Sequence, residues 1–246
     1  MPLPLPALSH TQWILGAFCA FFVGVSKTGV PGLAILVIPL MVLAVGDARQ
    51  SAGWLLPVLC TADVFAVYYW RRHAAAAKLF SLTPWVMGGM AVGAAALALN
   101  ERILRPAVGL IVLVMLAVYV RQRVQGESQR VTGHPAAYGV TAGFATTVAN
   151  AAGPVMNLYL LNQRLSKEEF IATGAWFFFV INLTKIPIYV YHGLIGLQSL
   201  AFNVLMVPAV LLGAVLGRWV VDHIPERLFE AIVVTLTVGS TILLFR

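Results

Sequence analysis

Three charged side chains stand inside otherwise apolar stretches of the sequence: Lys27, Asp63 and Lys185. A charge at hydrocarbon depth is costly. Such residues face a cavity, pair with another charge or lie on an ion pathway. Lys27 falls in the run SKTGVPG (Ser26–Gly32), flanked by Ser26 and Thr28. Glycine and proline break a helix there, and the exposed backbone N–H groups of a broken helix attract anions. A lysine, two hydroxyls and open amides together could cradle an anion. A second break, NAAGP (Asn150–Pro154), is preceded by Thr146 and Thr147 and followed one turn on by Asn157. Lys185 shares its segment with Asn182 and Thr184. Asp63 is then the titratable or pairing group. Two plainer readings compete with this one. Asp63 and Lys185 could neutralise each other, and Lys27 could snorkel toward a headgroup.

The elements that would position these groups are apolar segments. Ten can be read, at about 11–26, 33–45, 51–70, 82–99, 103–120, 136–149, 154–162, 169–191, 198–217 and 228–245. A helix needs about 20 residues to cross the hydrocarbon core. Segments two, six and seven are too short. The pairs one–two and six–seven are each joined by one of the Gly/Pro breaks. Each pair reads as a broken or re-entrant helical hairpin, since backbone opened at membrane depth must be buried in protein or line a wet cavity. Two ordinary tilted spans with a short turn are the competing reading.

Composition agrees with lipid as the solvent. Of 246 residues, 60% are hydrophobic and 10% charged, against about 25% charged in soluble domains. The net charge of +7 is not arranged for nucleic acid, because the cations stand singly or in pairs between apolar stretches. Loops 71–81, 121–135, 163–168 and 218–227 carry ten Lys/Arg, and the opposite side carries four (Arg49, Arg102, Arg105 and Arg246). By the positive-inside bias the first set is cytoplasmic and both termini are not. The inner membrane is the expected location. No basic residue precedes the first apolar stretch, which argues against a cleaved signal peptide. Cys19 and Cys60 lack metal or redox spacing and read as buried small side chains.

The two halves repeat at an offset of about 122. Ser51-Ala52-Gly53-Trp54 matches Thr173-Gly174-Ala175-Trp176, Asp63 falls opposite Lys185, and Tyr69 opposite Tyr191. The spacing P-x4-G-x3-G occurs at Pro84, Gly89, Gly93 and again at Pro208, Gly213, Gly217. Small residues four apart let helices approach closely. One hairpin and three spans per half make the repeat inverted, because three is odd. The expected fold is therefore an all-α polytopic membrane protein of two inverted repeats, 1–123 and 136–246, joined by a cytoplasmic linker at 124–135. In this arrangement the two hairpin tips enter from opposite faces, a geometry used by many alternating-access transporters.

The runs GVSKTGVPGLAILVIPLM, LLPVLCTADVFAVYYWRRH, ANAAGPVMNLYLL and KEEFIATGAWFFFVINLTKIPIY together resemble the sulfite exporter TauE/SafE family of membrane permeases, from about Gly16 to about Gly217. The resemblance implies transport of sulfur-containing anions such as sulfite, thiosulfate or organosulfonates, no cofactor, and coupling to an ion gradient. It carries the family's first tip onto Gly24, Ser26, Lys27, Gly29 and Gly32, and its second onto Asn150, Ala151, Gly153 and Pro154. Its aspartate falls on Asp63 and its lysine element on Asn182, Lys185 and Pro187.

The expectation is thus a secondary transporter that is not an enzyme and binds its anion at Ser26, Lys27, Thr28, Gly29, Asn150, Ala151, Asn157, Asn182 and Lys185. Asp63 serves as the coupling or pairing group. Its partners are a small anion, protons and the lipid bilayer, with a homodimer left open and nucleic acid excluded. The rivals are a passive anion channel, for which no filter motif is present, and an intramembrane enzyme, for which no mid-span histidine is available. A membrane scaffold would require a longer loop than the sequence has.

Overall fold

The computed structural model describes residues 5–96, 110, 113–114, 116–117, 134–149, 152–191 and 193–243. Among these, all regular structure is helical. The helices are α1 (His10–Thr28), α2 (Ala34–Val45), α3 (Ala48–Trp70), α4 (Ala76–Ala96), α5 (Pro135–Ala149), α6 (Ala152–Asn162), α7 (Lys167–Tyr191), α8 (Leu197–His223) and α9 (Glu226–Leu243). Most of the fifth apolar segment, the linker residues 124–133 and the site candidates Asn150 and Ala151 lie outside the described residues.

Local chemistry explains where the helices start and stop. The Ser9 hydroxyl accepts from Gln12 N while the Gln12 side chain accepts from Ser9 N, so two of the orphan N–H groups of α1 are satisfied reciprocally. Ser166 and Glu169 make the same exchange at the start of α7. Asp47 caps α3 by accepting from Gln50 N. At its far end α1 closes with Gly29 N and Val30 N both donating to Val25 O. The chain then turns through Gly32 at φ +106°, a conformation that favours glycine. Two expected loops are shorter than read from sequence. α4 already includes Lys78, and α8 continues through Arg218 and Asp222. Polar residues at i, i+4 extend a helix beyond its apolar part, and Arg218 lies 3.8 Å from Asp222 in that register.

Parts of α3, α4, α7 and α8 are long and apolar enough to cross a bilayer: Gln50–Trp70, Ala77–Ala96, Lys167–Tyr191 and Leu197–His223. By contrast α2, with 12 residues, and α6, with 11, extend only about 18 and 16 Å at 1.5 Å per residue, against a core about 30 Å thick. Large apolar side chains stand outward along the long helices, including Phe80, Leu212 and Trp219. Such a surface is suited to lipid.

The chain forms two compact units, each assembled from both sequence halves: Met1–Ala74 with Ala175–Pro225, and Ala75–Gly174 with Glu226–Arg246. In the first unit α1 packs along α8, with α2 and α3 beside them. Its core joins Cys19, Val23, Val37, Met41, Trp54, Val58, Met206 and Val210 around the fully buried Phe202. The Phe202 ring meets Trp13 at 5.6 Å and Trp54 at 5.3 Å. Trp54 thus packs into this core. Cys19 is buried and Cys60 half-buried, both as free thiols. In the second unit α4 packs along α5, and α6 meets α9. Tyr138 and Tyr159 pack at 5.5 Å, and Asn162 donates to the Tyr138 hydroxyl at 2.6 Å.

Both helix pairs depend on bare backbone. A Cβ at Gly24 would overlap Val210 O, and one at Gly213 would overlap Phe21 O. In the second unit a Cβ at Gly143 would overlap Val86 O, and one at Gly89 would overlap Val140 O. Gly88, one residue before Gly89, has nothing within 4 Å of that position. Gly24→Ala is therefore expected to destabilise the protein by about 1–3 kcal/mol through overpacking. Gly88→Ala should be neutral or stabilise by up to about 1 kcal/mol through helix propensity. Thermal unfolding of the two variants in detergent checks this, and equal midpoints would contradict the close-approach account.

Candidate functional site

The first unit gathers charged groups from three helices. α1 ends with Lys27, α3 carries Asp63 near its middle, and α7 carries Asn182 and Lys185 three residues apart. Lys27 Nζ lies 2.7 Å from Asp63 Oδ1. Asn182 Nδ2 donates to Asp63 Oδ2 at 2.6 Å. Both oxygens of a wholly buried carboxylate are thereby engaged. Lys27 is nearly buried and also lies over the Phe178 ring, 4.2 Å from its centroid, where the face of the π-system attracts a cation. Lys185 is buried and interacts electrostatically with Lys27, Asp63 and Cys60. With both lysines and the aspartate ionised, the group carries one net positive charge.

Helical geometry brings these side chains together. Phe178, Asn182 and Lys185 stand at i, i+4 and i+7 and so share one face of α7. Cys60 and Asp63 share a face of α3 at i, i+3. Sequence reasoning placed Asp63, Asn182 and Lys185 but missed Phe178. The i, i+4, i+7 spacing from Phe178 to Lys185 was the signal available. It also missed Thr61 and Asn203, which bond across α3 and α8, with Asn203 Nδ2 donating to Thr61 Oγ1 at 3.2 Å. Lys27 pairs with Asp63 at 2.7 Å, and Lys185, which the repeat alignment sets opposite Asp63, interacts electrostatically with the same carboxylate.

The rest of the first tip is bound up in packing. Thr28 is fully buried, and its hydroxyl lies 2.7 Å from Ala214 O and 3.0 Å from Gly24 O. Thr28 O accepts from Trp70 Nε1 at 3.1 Å, tying the end of α1 to the end of α3. Ser26 is buried beside it. A Cβ at Gly29 would overlap Gly217 O, so this glycine is required by the contact with α8. The remaining described candidates belong to the second unit. Thr146 is buried there, the Thr147 hydroxyl donates to Gly143 O at 2.9 Å, and Asn157 Nδ2 donates to Thr237 Oγ1 at 3.2 Å.

Charge arithmetic orders the consequences of mutation. Asp63→Asn removes the carboxylate that pairs with Lys27, whereas Lys27→Met leaves Asp63 still within the field of Lys185. Breaking a buried pair costs about 3–5 kcal/mol when an uncompensated charge remains. Asp63→Asn is therefore expected to lower stability by that amount and Lys27→Met by clearly less, as read by thermal unfolding in detergent. A Lys27→Met variant as unstable as Asp63→Asn would contradict the three-charge account.

Buried ion pairs beside short helices at a Gly/Pro break are features of transport sites rather than of water-soluble cores. No functionally curated protein and no solved structure matches the chain. One family model does, over residues 16–244, nearly the whole length, and its description is the sulfite exporter TauE/SafE. That family consists of transporters, not enzymes, and its members cross the membrane several times, in keeping with the apolar helices. The chain is thus a multi-pass membrane protein that belongs to the sulfite exporter TauE/SafE family.

Proposed function

We propose that the protein is a secondary permease for small sulfur-containing anions such as sulfite or short organosulfonates. It would work by alternating access and draw on an ion gradient. The observation that carries this reading is the buried cluster of the first unit, in which Lys27 pairs with Asp63 and a second lysine, Lys185, is buried within the same electrostatic field. Buried cations in low dielectric favour an anionic partner. Lys27 and Lys185 would supply the positive field, with Ser26 and Asn182 next to them. Thr28 and Gly29 would hold the tip against α8. Asn150, Ala151 and Asn157 would be the second half's contribution, and Asp63 would link protonation to transport.

Alternating access rests on an inverted repeat, and duplicated helix packing supports one. Gly24 and Gly143 lie 119 residues apart, as do Phe21 and Val140, and Thr28 and Thr147. Their partners Val210 and Val86, and Gly213 and Gly89, lie 124 apart. The α1–α8 contact of one unit thus recurs, residue for residue, as the α5–α4 contact of the other. Both threonines also bond back to the glycine four residues earlier.

Reconstitution into liposomes tests the substrate class. Saturable uptake of sulfite or a short organosulfonate is expected, falling about tenfold or more in Lys27→Ala. Unchanged saturable uptake in that variant would remove Lys27 from the site, and flux that never saturates would favour a pore. Orientation has its own test. An alkaline phosphatase fused after residue 246 should be active and one fused within 124–133 inactive, because the enzyme needs an oxidising compartment. The opposite pattern would reverse the assignment of sides.

A further inference from the structure

Asp63 holds the place on Lys27 that a bound anion would need. The carboxylate lies 2.7 Å from Nζ, at full contact, and the Phe178 ring lies against the same ammonium at 4.2 Å. An incoming anion must either displace Asp63 or approach a cation already neutralised. Displacement alone would take the contacting ammonium from a wholly buried carboxylate and leave it only the weaker field of Lys185, which is unfavourable. The carboxylate can give up Lys27 cheaply only if it ceases to be charged.

Resting on the anion-permease reading above, we propose that Asp63 is an intramolecular competitor of the substrate for Lys27, and that each monoanion binds together with one proton. The proton goes to Asp63 Oδ1, the oxygen that Lys27 leaves. Oδ2 keeps its bond from Asn182 Nδ2, since an amide N–H can donate to a carboxylic acid as well as to a carboxylate. The groups around Asp63 suit this exchange. α1 brings Lys27, α7 brings Asn182 and Lys185, and α3 itself brings Cys60 one turn away. α2 has no titratable side chain. α8 brings Asn203, held by Thr61, and its titratable residues Arg218, Asp222 and His223 are exposed near its other end. A proton and a monoanion taken up together add no net charge to the group formed by Lys27, Lys185 and Asp63. The buried charge therefore does not change on loading. An anion taken without a proton would change it by one, so the exchange sets a fixed proton-to-anion ratio.

The test uses purified full-length protein in detergent, with sulfite and methanesulfonate as ligands, the latter because it is a permanent monoanion. Calorimetry in buffers of different ionisation enthalpy should show the wild type taking up about one proton per methanesulfonate bound. Asp63→Asn should bind methanesulfonate on the order of tenfold more tightly than wild type in alkaline buffer, take up no proton, and gain more thermal stability from the ligand. Anion binding by wild type without proton uptake would overturn the competition and leave the anion site standing. So would a folded Asp63→Asn protein that binds more weakly than wild type, since Asp63 would then merely position Lys27. If Asp63→Asn cannot be purified folded, the wild-type proton count decides alone. Failure of the wild type to bind either anion would overturn the site itself, and this proposal with it.

Discussion

Hydrocarbon offers no water to a carboxylate, and Asp63 is wholly buried in the middle of a helix long enough to span it. Such a group persists only if both oxygens find strong partners. They find them on two other helices: the Lys27 ammonium at the end of α1 and the Asn182 amide on α7. That requirement sets where α1 must end, since Lys27 is in its last turn and the break that follows lets the ammonium reach α3. It also sets which face of α7 turns inward, because Phe178, Asn182 and Lys185 share that face. A single desolvated charge thus ties together three helices drawn from both halves of the chain.

Close approach of helices is the second constraint. Apolar side chains gain little by associating in lipid, so contact there depends on packing and on polar bonds between backbones brought near each other. Glycines supply that proximity at Gly24, Gly213 and Gly217 in one unit and at Gly89, Gly93 and Gly143 in the other. Thr28 converts the proximity into a hydrogen bond by reaching Ala214 O. The tip that carries Lys27 is thereby fastened at three points. Gly29 lies against Gly217, Thr28 against Ala214, and Trp70 Nε1 donates to Thr28 O. With its backbone anchored in this way, the Lys27 side chain has only its own torsions to settle, and Asp63 and Phe178 hold the ammonium at its far end.

Much of the helical layout was legible from hydropathy and breakers, because lipid demands long apolar runs and Gly/Pro interrupts them. Predicted segment ends fall within a few residues of the helices, and the larger differences are at α4 and α8. There, polar turns continue a helix past its apolar part, which a hydropathy reading stops short of. The charges Lys27, Asp63 and Lys185 were also legible, because each is anomalous in its surroundings. Phe178 was not. It is one aromatic among many in an apolar run, and its i, i+4, i+7 spacing to Asn182 and Lys185 gains meaning only from its distance to Lys27.

The sequence by itself determined that the protein is helical and bilayer-embedded. It also pointed to short helices beside two Gly/Pro breaks and to three charges set in apolar stretches. Each of these follows from composition or from local spacing along one chain. Only the tertiary structure decided which charge answers which. The repeat sets Asp63 opposite Lys185, yet the carboxylate reaches Lys27, because pairing depends on which helix faces turn toward one another and not on position in a repeat. It likewise decided that α1 lies along α8 and α4 along α5, so that each unit is built from both halves. Contacts between helices far apart in the chain leave only glycines as their trace in the sequence, and a glycine does not name the backbone it was cleared to meet.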